Sequence, residues 1–159
     1  QTEFEFGREG GLALFMDGVD ISSKITSTQV TESVSRVSAV PQIREKLVQY
    51  QRKMAEGLDV VLEGRDIGTV VFPDAEFKFF LIADIEERAR RRKKEMETMG
   101  EIVSLRELTA ELEERDRKDS TREHSPLKKA EDAVEIDTTG LSIAEQVNRI
   151  VKIVNKSIK

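Results

Sequence analysis

The sequence predicts an α/β fold, and two observations carry that prediction. Val60-Val61-Leu62, Phe77 to Ile82 and Val134-Glu135-Ile136 are short apolar runs separated by helix-patterned stretches, the pattern of parallel strands covered on both faces. Ahead of them, Phe4 to Ile21 holds short alternating runs broken by glycines, the pattern of a small antiparallel sheet.

The elements follow in order. Phe4-Glu5-Phe6 and Leu12-Ala13-Leu14-Phe15-Met16 are the first strands, with Asp17-Gly18 as a turn pair. Ser22 to Glu56 is expected to be helical, Pro41 opening a second helix whose Ile43, Leu47, Tyr50 and Met54 recur on one face that should be buried. Asp84 with Glu87, Ser104 with Glu107, and Ser142 with Glu145 each have the spacing of a capping box at a helix start. The last helix is expected to bury Ile143, Val147, Ile150, Val154 and Ile158. A composition shift near Glu56-Gly57 separates a β-plus-helix portion from the α/β portion.

Composition removes several classes of function. The 159 residues include no cysteine, so disulfide scaffolding, thiolate catalysis and cysteine-ligated zinc are excluded. No apolar stretch is long enough to span a bilayer, and a cytoplasmic protein without a membrane partner is expected. Lys and Arg number 26 against 31 Asp and Glu, giving a net charge of −5, which speaks against a general nucleic-acid binder.

Three clusters hold side chains suited to chemistry. Glu63-Gly64-Arg65-Asp66-Ile67-Gly68-Thr69 follows the first expected parallel strand, and ligands bind beyond the carboxyl ends of such strands. There Arg65 offers a fork for phosphate, while Asp66 can accept from an amino group or a ribose hydroxyl; a plain Arg-Asp surface pair is the alternative. On a continuous helix, Arg115, Asp119 and Arg122 share one face, placing two guanidiniums around a carboxylate, although a solvated charged helix would look the same. Arg88 to Lys94 has six basic residues in seven. Phosphate contacts by Arg88 and Arg92 compete there with a solvated helix, and the chain shows no aromatic platform for stacking bases. His124 has no readable catalytic partner. No Gly-x-x-x-x-Gly-Lys-[Ser/Thr] loop and no metal-spaced cluster occurs, so no protein metal site is expected.

The run from Glu63 to Ala75, Glu-Gly-Arg-Asp-Ile-Gly-Thr-Val-Val-Phe-Pro-Asp-Ala, together with Arg115 to Arg122 and Pro126-Leu127, resembles the bacterial cytidylate kinases, from about Leu12 to the end. The resemblance implies a nucleoside monophosphate kinase that transfers the γ-phosphate of ATP, with Mg2+, to CMP or dCMP. It implies a parallel-sheet core of the P-loop NTPase type within residues 41–159, a monophosphate-binding insertion at 1–40, and a helical lid at about 112–125. By that similarity Ser35, Arg44 and Asp66 face cytosine, Arg65 holds the CMP phosphate, Arg115 and Asp119 meet the sugar end, and Arg122 joins the closing lid, Arg115 and Arg122 being catalytic. The family's P-loop strand and helix would lie upstream of Gln1. The chain is therefore expected to be a truncated kinase that binds CMP weakly, does not turn over ATP alone, and self-associates through exposed apolar surface. A non-catalytic nucleotide- or phosphate-binding module is the alternative reading.

Overall fold

The computed structural model describes residues 2–6, 12–25, 27–38, 40–98 and 100–157. The chain packs as two units, Gln1–Gln49 and Tyr50–Lys159.

The first unit opens with a three-stranded antiparallel sheet. Strands β1 (Thr2–Phe6) and β2 (Leu12–Met16) pair with Phe4 opposite Leu14, and β3 (Val19–Asp20) pairs with the far end of β2. Asp17 and Gly18 both take positive φ, 51° and 75°, which is the conformation a two-residue hairpin loop needs to match the strand twist. A short helix, α1 (Ser22–Ile25), follows, held where the Leu14 N–H donates to Ser22 Oγ. Then come α2 (Thr28–Ser38) and α3 (Pro41–Ala55). The apolar stripe of α3 corrects an expectation: Ile43, Leu47, Tyr50 and Met54 are all exposed. Periodicity establishes that a stripe exists, and coverage depends on a partner element that the spacing does not specify.

The second unit is α/β. Strand β4 (Phe79–Ile82) runs parallel to β5 (Val134–Asp137), Phe79 opposite Val134 and Ile82 opposite Asp137. Between them lie α4 (Ile85–Thr98) and α5 (Leu105–Thr121), which pack against each other, and α6 (Ile143–Ser157) follows β5. Parallel strands cannot be joined by a tight turn, so a helical crossover between β4 and β5 is what the ladder demands. Among the described residues the buried apolar core is Val71, Ala89, Leu108 and Ile136.

Three further expectations change. Val60-Val61-Leu62 forms no strand, and Val61 is fully exposed; β-propensity favours extended backbone, but a strand needs a neighbour to receive its hydrogen bonds, and none of the described residues supplies one. Asp84 and Glu87 do not box α4: the Asp84 N–H donates to Thr139 Oγ1, while Glu87 pairs with Arg90 and Arg91. The other two boxes form, with Ser104 and Glu107 exchanging bonds at α5 and Ser142 and Glu145 doing so at α6. Finally, α6 leaves Ile143 80% exposed and Val147 half open, with Ile150 and Val154 half-buried; Ile158 lies outside the described residues. Its apolar face is clear in the sequence, and again only tertiary partners decide how far it is covered.

Candidate functional site

The loop between α3 and β4 is shaped by one wide helical turn, Ile67–Val71. Asp66 heads it: its carbonyl accepts from the N–H groups of Val70 at 2.8 Å and of Thr69 and Val71 at 3.3 Å. At the far end the Val71 side chain is sunk in the core. Gly64 is a site of close approach, since a Cβ there would stand 2.8 Å from Ile67 Cγ1. The turn thus places Asp66 inside the unit, 6% exposed, with Arg65 half-buried beside it.

Helix α5 brings a second set of groups to Arg65. Asp119, 8% exposed on the last turn, is approached by Arg65 Nε at 3.4 Å, Arg122 Nη1 at 3.7 Å and Arg115 Nε at 3.9 Å. The shared face read from the spacing of Arg115, Asp119 and Arg122 therefore exists, and Arg65 joins it from another segment. Leu127 N–H donates to the Asp119 carbonyl and Arg122 Nε to the Ser125 carbonyl, so the chain leaving α5 folds back beneath the cluster.

Asp116 is the participant that sequence reasoning missed. It takes Arg88 Nη2 on Oδ2 at 2.5 Å and faces Arg65 Nη1 across 3.5 Å. Burial works to raise its carboxyl, and the guanidiniums of Arg88 and then Arg65 outweigh burial and hold it below the ordinary carboxylate range. The signal was present in part: Asp116 lies one turn from Asp119 on the same helix, but its pairing with Arg88 needs α4 packed on α5. Four guanidiniums from three chain segments thus surround two carboxylates.

Four of the five other basic residues of the run on α4 pair within their own helix. Arg90 pairs with Glu86 and Glu87, Arg91 with Glu87, Arg92 with Glu95, and Lys93 with Glu97. Arg91 also donates to the Thr138 carbonyl at 2.6 Å, tying α4 to the end of β5. Arg92, named with Arg88 as a phosphate contact in competition with a solvated helix, engages Glu95 at 2.8 Å.

Ser35 and Arg44 belong to the first unit. Ser35 lies on α2, with its side chain outside the described set; Arg44 is half-buried in the first turn of α3. Among the described residues no group of His, Asp and Glu forms a metal cage, and no helix is long and apolar enough to cross a membrane.

Comparison with known proteins agrees with the motif reading. The family model described as cytidylate kinase matches residues 1–156. A cytidylate kinase of Lactobacillus gasseri is 48% identical over 160 residues, covering 100% of this chain and 70% of the relative. One from Streptococcus pneumoniae is 50% identical over 152 residues, 94% of this chain and 68% of the relative. One from Desulforamulus reducens is 53% identical over 144 residues, 91% of this chain and 65% of the relative. With a family match along nearly its whole length and relatives at about half identity, this chain belongs to the cytidylate kinase family.

Proposed function

We propose that the chain carries the monophosphate-binding and lid side of a kinase that moves the γ-phosphate of ATP onto CMP or dCMP, releasing ADP and CDP or dCDP. The observation that carries this reading is the cluster at α5: the guanidiniums of Arg65, Arg88, Arg115 and Arg122 exceed the carboxylates of Asp116 and Asp119 by two charges. A phosphate monoester near neutral pH carries about −1.5 to −2, so the surplus suits one such group. Arginines at this point also stabilise charge that spreads over the oxygens of a phosphoryl group in transfer.

Arg65 takes the phosphate in this reading, Arg115 and Asp119 the sugar end, and Arg122 closes with the lid at about 112–125. Lid closure excludes water that would otherwise capture the phosphoryl group. Asp66, Ser35 and Arg44 face the base. Cytosine offers an amino donor with carbonyl and ring-nitrogen acceptors, which a carboxylate and two donors can match. Uracil would put a carbonyl against the Asp66 carboxylate, and a site built for hydrogen bonds rejects strongly a ligand that leaves its groups unpaired.

Magnesium enters with ATP as its phosphate complex, the mode that ion favours because it keeps much of its water. The 159 residues contain no Gly-x-x-x-x-Gly-Lys-[Ser/Thr] sequence, so we assign them the acceptor side of the reaction rather than the cradle for ATP. Pairing of Arg90, Arg91, Arg92 and Lys93 with carboxylates of α4 supports nucleotides over nucleic acid as partners.

The test is ADP formation from Mg·ATP and CMP, followed by a coupled enzyme assay. A polypeptide joining this chain to a P-loop segment is expected to turn over CMP and dCMP in preference to UMP, and the 159 residues alone are expected to bind CMP without ordinary turnover. Equal use of UMP and CMP by the joined polypeptide, or ordinary turnover by the 159 residues alone, contradicts this assignment.

A further inference from the structure

We propose that Arg52 is a positioning residue for base selection, setting the angle of the turn that presents Asp66. The inference rests on the reading of Asp66 as the carboxylate that meets the cytosine amine.

Arg52 stands on the last turn of α3, inside the second unit. Its Nε donates to the Val71 carbonyl and its Nη2 to the Val70 carbonyl, both at 2.7 Å. Those carbonyls close the turn Ile67–Val71, where the last C=O groups of a helical segment have no intrahelical partner and a basic side chain can satisfy them. At the opposite end the turn is gathered on one atom, the Asp66 carbonyl, which accepts from Thr69, Val70 and Val71. With only four residues between Asp66 and Val71, a change in how the carbonyl end is held passes directly to Asp66. The buried Val71 side chain fixes depth, and the two parallel bonds from Arg52 fix rotation.

The geometry requires arginine in particular. One planar fork reaches two adjacent carbonyls, whereas a lysine ammonium is a point donor on a flexible stem and satisfies one at a time. Arg52 is itself exposed, with its Nη2 bond open to water and its Nε bond part-buried, and its effect should fall chiefly on the placement of Asp66. The sequence concealed it, because Gln51-Arg52-Lys53 reads as the solvated end of a helix.

The test compares Arg52→Lys with the unmodified chain and with Asp66→Asn, titrating each with CMP and with UMP by NMR chemical-shift changes, which read weak binding. In Arg52→Lys the CMP-to-UMP affinity ratio is expected to fall roughly tenfold, the effect of a displaced hydrogen-bonding group. Amide hydrogen exchange at Val70 and Phe72 should also quicken. A merely structural arginine would lower the folded fraction for both nucleotides and leave the ratio unchanged; that result overturns the inference. Preference lost in Asp66→Asn but kept in Arg52→Lys overturns the inference alone. No preference in the unmodified chain, or preference kept in Asp66→Asn, overturns the functional reading and the inference with it.

Discussion

Replacing Asp116 by Asn keeps the outline of the side chain and removes the charge that Arg88 and Arg65 share. Arg88 Nη2 donates to Oδ2 at 2.5 Å, and Arg65 Nη1 stands 3.5 Å from Oδ1. A hydrogen bond to a charged group is worth roughly 1.5–3 kcal/mol when shielded. About a third of each of these side chains is open to water, which brings the Arg88 bond to about 1–2 kcal/mol, and the longer Arg65 pair adds a few tenths at most. The expected loss of about 1.5 kcal/mol corresponds to a fall of roughly 3–6 °C in melting temperature for a chain of this size. Thermal unfolding followed by circular dichroism reads it directly. The pH dependence has a definite sign. Because Asp116 is held below the ordinary carboxyl value in the fold, its contribution is complete above the unfolded value of about 3.9 and is lost as pH falls through the lower folded value. The gap between the unmodified chain and Asp116→Asn should therefore be full at neutral pH and narrow below about pH 4. Equal melting temperatures at pH 7, or a gap that widens on acidification, would mean that the Asp116 charge does not stabilise the fold through Arg88 and Arg65.

Two other substitutions probe the core and the catalytic set. Leu108→Ala empties a site that is 2% exposed in a small core and should cost about 2–5 kcal/mol, measured by urea unfolding; a loss under about 1 kcal/mol would mean that α5 is not anchored there. Arg115→Ala should depress phosphoryl transfer in a polypeptide that also carries a P-loop, lowering kcat more than it raises KM, and an unchanged kcat would remove Arg115 from the catalytic set.

What the sequence disclosed and what it withheld divide along a physical line. Local signals held where the bonding is local: Asp17-Gly18 made its hairpin turn, Ser104 with Glu107 made its box, and Arg115, Asp119 and Arg122 share their face. Readings that needed a distant partner went astray. Val60-Val61-Leu62 has the side chains of a strand and no ladder to join among the described residues. The Asp84–Glu87 box is the one local reading that failed, because Glu87 pairs instead with Arg90 and Arg91 of its own helix. The candidate site shows the same division. Arg65 and Asp66 were visible from their glycine-flanked motif, but Asp116 becomes a site residue only when α4 brings Arg88 to it, and Arg52 only when α3 meets the turn.

The central claim is that the buried carboxylate of Asp66 distinguishes an exocyclic amine from a carbonyl. Titrating CMP and UMP into the unmodified chain and into Asp66→Ala addresses it most directly. CMP is expected to bind with a clear preference that Asp66→Ala abolishes, with Arg65 still supporting residual binding of both nucleotides. A preference that survives the substitution would contradict it.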